Sequence, residues 1–451
     1  MSPRHPALVW LRDDLRLADN PALRAAVDGD RPVVVLYVLD EQSREIRPLG
    51  GATRWWLHHS LTALQQRLEE RGGSLVLRRG TAEDVIPAVV AETHAEAVFW
   101  NRRYGAAREI DARLKTRLRD DGIEVASFSA NLLVEPWEVT TGQGEPFKVF
   151  TPFWKAAQER PFRDAVPEPR EIEGHRADGD RLDDWGLLPT HPNWAGGLRE
   201  TWEPGELGAR HRLEEFVEDR LADYHRRDEP AVDATSGLSP HLRFGEISPI
   251  QIWDRLHGPL DGGALRNRAK FLSEVGWREF NHSILFQQPR LHRDSFRPEW
   301  DAFPWEKPHA AELDAWKQGR TGIPLVDAGM RELWHSGVMH NRVRMVTASF
   351  LVKNLLVDWR VGEAWFWDTL VDADEASNPG NWQWVAGSGA DAAPYFRVFN
   401  PELQREKFDK HDRYVKRWVP ELGTDEYPDP IVDLKQSRQA ALDAYQHLRN
   451  S

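Results

Sequence analysis

A chain of 451 residues is too long for one ordinary core, so two or three domains are expected. A hydrophobic share of 40%, a mean hydropathy of -0.62 and the lack of any apolar run near the roughly 18 residues of a membrane span describe a soluble globular protein. A net charge of -13 disfavours nucleic acid as a partner of the whole surface, and zero cysteines exclude disulfides, thiolate nucleophiles and Cys-ligated metal sites.

The N-terminus, "MSPRHPALVWLRDD", has no apolar signal core and enters a strand at once, so a cytoplasmic setting is expected. Strand "ALVWLRDD" is followed by helix "NPALRAAVDG", and buried strand "PVVVLYVLD" by a long helical period, "ATRWWLHHSLTALQQRLEERG". Strand "SLVLRRG", helix "AEDVIPAVVAETH", strand "AEAVFWN", a helix over about 106–121 and strand "IEVASFSAN" complete the series. Five apolar strands alternating with helices predict a doubly wound parallel α/β domain over residues 1–131. No GxGxxG or Walker sequence follows the first strand, which leaves dinucleotide-fold and P-loop readings without support. Residues 132–205, rich in Pro, Gly, Asp and Arg, read as an irregular interdomain linker. From 206 to 451 the pattern is helical, and an all-α domain is expected.

Charge reverses locally in that second domain. Between Arg266 and Glu299 stand seven Arg or Lys against four acids, and residues 335–354 carry Arg342, Arg344 and Lys353 with no acid. Such a surface suits phosphate backbone, although solvated helix faces carry similar clusters. "DATSGLSPHLRFGEIS" (233–248) gathers hydroxyls and glycines before a helix, which suits either a phosphate group or a plain N-cap. In "FLSEVGWREFNHSILF" (271–286), Glu274, Trp277 and Asn281 fall on one helical face. "MHNRVRM" sets Asn341 and Met345 one turn apart, Met345 reading equally well as core filler. "ASNPGNWQWVAGSGA" (376–390) is fifteen residues without a charge, entered past Asp372, Asp374 and Glu375 on a loop that leads into a helix. No histidine pair joins those acids at metal-ligand spacing, so no metal site is expected. Acids, amides, tryptophans and hydroxyls together suit a large aromatic phosphorylated cofactor.

These stretches resemble the photolyase/cryptochrome family, most closely its bacterial cyclobutane pyrimidine dimer photolyases. The likeness is carried by "LVWLRDDLRLADNPAL", "TSGLSPHL", "EVGWREF", "TGIPLVDAGMRELWHSGVMHNRVRMVTASFLVKNLLVDWR" and "NWQWVAGSGADAAPYFRVFNPELQREKFD". The resemblance implies FAD as cofactor, UV-damaged DNA as partner, a monomer, and light-driven splitting of pyrimidine dimers by an electron from excited reduced FAD. It implies that Tyr224, Thr235, Ser236, Leu238 and Ser239 hold the FAD phosphates. Asp372 and Asp374 would lie beside the flavin and ribityl chain, with Arg344 the ionic partner of Asp372, and Asn378 would face flavin N5. Trp277 and Trp384 would flank the flipped-out dimer, with Glu274, Asn341 and Met345 contacting its bases. Arg342, Arg397 and Gln404 match DNA-contacting positions, and Trp382, Trp359 and Trp305 the chain that carries electrons to the flavin.

On this reading the uncharged 376–390 stretch is the wall of a cofactor pocket. Glu274 serves a radical anion only if desolvation keeps it protonated, since a carboxylate would repel the anion. The related outcomes are a cryptochrome, a (6-4) photolyase, expected to show histidine in place of Asn341 or Met345, and a non-catalytic flavoprotein of electron transfer. Glu375 and Val338 stand where the family usually has an apolar and an aromatic residue. The Asn-Glu pair that binds folate in some relatives is not evident in "WNRRYGAAREID", where Ala107 and Arg108 fall nearby. Methenyltetrahydrofolate in another pose, a deazaflavin or no antenna chromophore all remain open.

Overall fold

A computed structural model describes residues 4–392 and 396–450. Strands β1 (Ala7–Leu11), β2 (Val33–Leu39), β3 (Leu75–Arg79), β4 (Ala97–Asn101) and β5 (Glu124–Phe128) alternate with helices α1 (Pro21–Asp28), α2 (Gly51–Glu69), α3 (Ala82–Thr93) and α4 (Arg108–Asp120). All pairings are parallel, in the order β3-β2-β1-β4-β5, with Ala7 beside Val33 on one side and Ala97 on the other. The central strands are apolar on both faces because helices cover both, as β1 shows in being buried throughout. The chain order reverses at β1, and there the open ends of β1, β2 and β4 leave a crevice.

The connector is not irregular throughout, as its composition suggests. It holds α5 (Phe150–Gln158) and a short helix, Gly196–Thr201. Its apolar residues are divided between two cores: Leu133, Val134, Phe153 and Trp154 pack into the helical domain, whereas Ile172, Trp185, Leu187 and Leu198 pack beneath the sheet. Hydrophobic burial, rather than local propensity, orders it. Beyond residue 205 the described residues form helices and loops without a strand, and no described helix is long and apolar enough to cross a membrane.

Polar ties join the two domains. Trp56 Nε1 donates to Glu246 Oε1 at 2.9 Å, and Glu206 accepts from the N–H groups of Leu17 (2.9 Å) and Ala18 (3.0 Å). Glu279, buried on the Gly262–Gln287 helix, accepts from Leu133 N–H at 2.8 Å and so pins the connector to the helical core. Burial pushes its acid up to about 7, against the pull of Arg278 and the two N–H groups at Leu133 and Val134. A carboxyl raised on folding binds its proton more tightly in the native state. Its contribution is therefore complete below about 4.5 and is lost as pH rises through about 7. Glu279→Gln should flatten this fall, removing a loss of about 3 kcal/mol between those limits, as urea unfolding at several pH values will measure.

Candidate functional site

Three segments distant in sequence meet around Asp372, which is buried. Arg344, on the Asn341–Ser349 helix, grips it through Nη1 (3.2 Å) and Nη2 (2.9 Å), and its Nε donates to Met339 O at 2.6 Å. Ser239 Oγ donates to Asp372 Oδ2 at 2.7 Å, so the hydroxyl-rich 235–239 segment is anchored to the same carboxylate. Thr235 is exposed, and Ser236 Oγ accepts from Leu238 N–H at 3.3 Å. Leu238 is 2% exposed in the apolar core, so its side chain can offer nothing to a phosphate. Gly237 bends this loop at φ +64, where a Cβ would also press on Arg212.

The uncharged stretch forms the Ser377–Ala386 helix, which is mostly buried. Asp374 Oδ1 accepts from the N–H groups of Ala376 and Ser377, which starts this helix. That local task accounts for one carboxylate oxygen assigned by resemblance to the flavin. Asn378 is buried and spends both amide hydrogens on Glu363, at 3.1 Å to the main-chain oxygen and 2.8 Å to Oε1. Its Oδ1 has no donor among the described residues. Trp382 packs against the Trp359–Thr369 helix, where only a glycine fits; a Cβ on Gly362 would overlap its ring.

A second set of side chains forms a face bridged by Arg227, a residue that sequence reasoning passed over. Its guanidinium pairs with Glu274 at 2.7 Å, and its carbonyl accepts from His340 Nε2 at 2.9 Å. It thus ties the helix of Glu274 and Trp277 to the start of the helix of Asn341 and Met345. His340 Nδ1 accepts from Arg342 N–H at 3.2 Å, which leaves the proton on Nε2, and burial lowers the imidazole to about 4. Tyr224 lies beneath Arg227, its hydroxyl 3.4 Å from Nη1, and burial pushes its phenol up to about 12. Trp277 stacks on Phe150 at 3.9 Å with an angle of 9°, an arrangement that fixes the indole plane. Asn341 is exposed, whereas Met345 and Trp384 are half-buried against the core.

The desolvation proposed for Glu274 is not met. Its side chain is 29% exposed and also lies 3.7 Å from Lys270, so it is neither dry nor unpaired. At this face Glu274 is partly exposed and paired with Arg227 rather than enclosed.

Arg342 pairs with Asp228 at 3.0 Å and covers the Phe408 ring at 4.4 Å. Arg397 lies 6.0 Å from the Trp384 ring, and Gln404 Oε1 is buried without a hydrogen bond among the described residues. Trp359 and Trp382 are 1% and 3% exposed, Trp305 is half-buried, and all three belong to or pack against one core. Their rings are not mutual neighbours; Trp382 meets Phe366 at 4.9 Å and Trp316 at 6.3 Å.

The crevice at the sheet's reversal point is a cavity of about 150 Å³, roofed by Arg243, Arg278 and His282 of the helical domain. Arg12 is buried in its wall, and its Nε and Nη1 have no hydrogen bond among the described residues. Glu375, singled out as a departure in sequence, also faces it. Burial raises this carboxyl, helped by the nearby Asp13 and opposed by Arg243 and Arg103.

The residues fit a flavin adenine dinucleotide: hydroxyls beside a clamped arginine for the phosphates, an uncharged wall, and a lone amide oxygen. Comparison with known proteins agrees. The family described as the FAD binding domain of DNA photolyase matches residues 271–425, and the DNA photolyase family matches residues 7–170. The chain is 47% identical to a deoxyribodipyrimidine photo-lyase of Agrobacterium fabrum over 98% of this chain and 97% of that protein. It is 37% identical to cryptochrome-1 of Arabidopsis thaliana, over 92% of this chain and 63% of that one. A bacterial class III photolyase from Agrobacterium tumefaciens superposes with a TM-score of 0.95 at 45% identity, covering 100% of this chain and 99% of the other. Fold, sequence and site concur, and the chain belongs to the DNA photolyase family.

Proposed function

We propose that this protein repairs DNA by light-driven splitting of cyclobutane pyrimidine dimers, acting in the cytoplasm as a single chain that supplies the whole site. The observation that carries this reading is the Arg227 bridge, which joins the Trp277 helix to the start of the Asn341 helix. Bound FAD supplies the electron that light makes available. Ser239, Arg344 and Asp372 would hold its phosphate and ribityl end, and Asn378 would meet the flavin ring.

A dimer inside a duplex is out of reach and has to be extruded, which its poor stacking makes easier. Trp277, braced from behind by Phe150, receives the flipped bases, with Trp384 on the opposite side. The Arg227–Glu274 pair and the exposed Asn341 amide offer hydrogen bonds to base carbonyls, while Met345 keeps water from the pocket floor. Arg342, Arg397 and Gln404 hold the flanking strand. Arg342 exchanges Asp228 for a phosphate, a trade between two solvated anions that costs little. The cavity at the sheet's reversal point suits a light-harvesting second chromophore, methenyltetrahydrofolate or a deazaflavin, with the unpartnered Arg12 nitrogens as donors.

The test is dark binding to DNA with and without a dimer. Trp277→Ala should weaken dimer binding by about 1–3 kcal/mol, the worth of one base–aromatic stack, and leave affinity for undamaged DNA unchanged. Equal losses on both substrates would remove Trp277 from the pocket.

A further inference from the structure

Arg47 belongs to the α/β domain, on the segment between β2 and α2, yet its guanidinium reaches into the helical domain. Nη1 and Nη2 lie 2.6 Å and 2.9 Å from the two carboxylate oxygens of Glu363, whose side chain is 2% exposed. The segment is fixed from both sides. Arg47 covers the Trp367 ring at 4.1 Å, Trp367 Nε1 donates to Pro48 O at 2.8 Å, and Asp368 Oδ1 accepts from Gly51 N–H at 2.8 Å. The same Glu363 Oε1 that accepts from Arg47 Nη1 also accepts from Asn378 at 2.8 Å. One carboxylate thus stands between a cation of one domain and the amide that lines the pocket of the other.

That arrangement dictates which way the amide points. The two atoms of Glu363 facing Asn378, a carbonyl and a carboxylate oxygen, are both acceptors, so the NH2 group has to face them and Oδ1 has to face the pocket. The main-chain oxygen demands the NH2 group in either state, and the side chain adds its full preference only while Glu363 is ionised. A protonated Glu363 carries an O–H donor, for which an amide turned by half a rotation, with Oδ1 toward Glu363 and NH2 toward the pocket, is the better partner. Burial raises the Glu363 carboxyl, against the pull of Arg47 and, more weakly, of the amide itself. His292, lowered by burial to about 4, faces Arg47 from the segment after the Gly262–Gln287 helix and adds no charge at neutral pH.

We propose that Arg47 is a positioning residue for the flavin site: by holding Glu363 as a carboxylate it fixes the Asn378 amide with its oxygen toward flavin N5. This rests on the reading above that Asn378 meets the flavin ring. N5 carries a hydrogen when the flavin is reduced and a bare lone pair when it is oxidised, so an amide oxygen there favours the reduced form and an NH2 group the oxidised one. Because Arg47 also lines the interdomain cavity, the state of that cavity is linked to the flavin through a single carboxylate.

The experiment pairs infrared spectra of the full-length protein in the dark with redox titration of its bound FAD. In Arg47→Met a protonated-carboxyl band should appear at neutral pH and vanish in Arg47→Met/Glu363→Gln. The ratio of reduced to oxidised FAD at a fixed poise should fall about tenfold, about 30 mV for a two-electron couple. Glu363→Gln alone should give the same shift, and the double variant no more. Arg47→Lys, which keeps the charge and protects against a simple folding failure, should stay near the parent in both readouts. Lowered thermal stability with no carboxyl band and an unchanged ratio would overturn the proposal and make Arg47 a domain clamp. Asn378→Leu separates the two readings. An unchanged ratio in that variant would sink the placement of the flavin, while the carboxyl band still decides whether Arg47 governs Glu363.

Discussion

Trp382→Phe should fold, bind FAD and recognise damaged DNA, yet its oxidised flavin should barely reduce under blue light with an external thiol. Trp382 is 3% exposed, so phenylalanine keeps most of the packing around Phe366 and Trp316 and costs about 1–2 kcal/mol of stability. What the smaller ring lacks is the indole's ease of oxidation. In the electron path proposed from the resemblance, Trp305 and Trp359 feed Trp382, and losing that last member would isolate the flavin from surface electrons. Reduced chemically by dithionite, the same variant should repair dimers at nearly the parent rate, because repair draws on the flavin itself. Normal photoreduction would remove Trp382 from the path. Failed repair after dithionite would mean a damaged pocket instead.

Arg344→Met should release FAD. Asp372, with 4% of its side chain exposed, would keep only the Ser239 hydroxyl as a partner and be left as a buried, uncompensated charge. Breaking such a pair costs about 3–5 kcal/mol, and the 25% exposure of Arg344 argues for the lower end. Met339 O loses a donor as well, which loosens the turn before Asn341. Flavin released by heat, per mole of protein, should fall to a small fraction of the parent's, and the urea midpoint should drop in parallel. Full FAD content in this variant would contradict the assembly of the site around Asp372.

The α/β domain is legible because its signal is periodic and local: β2 is seven consecutive apolar residues, and α1 begins at Asn20-Pro21, an N-cap followed by a helix-compatible proline. The site residues are legible in another way, through resemblance, and Leu238 and Glu274 illustrate its limits. A matched position gives neither the burial of the first nor the partner of the second. Periodicity also misses α5, nine residues whose order comes from Phe153 and Trp154 against the Gly262–Gln287 helix. Arg227 and Glu274 are 47 positions apart, and Arg47 and Glu363 are 316 apart. Pairs like these leave no mark on hydropathy or spacing. The first exists only once the helical domain has folded, and the second only once the two domains close on each other.

The central claim is repair, which a cryptochrome or an electron-transfer flavoprotein of the same fold would not perform. The direct measurement is illumination of the purified, FAD-loaded, chemically reduced protein with an oligonucleotide that carries one cyclobutane thymine dimer, followed by chromatography of the DNA. The account predicts light-dependent, multiple-turnover return of two intact thymines and no change in the dark. A flavin that absorbs the light and binds the DNA while the dimer stays whole would contradict it.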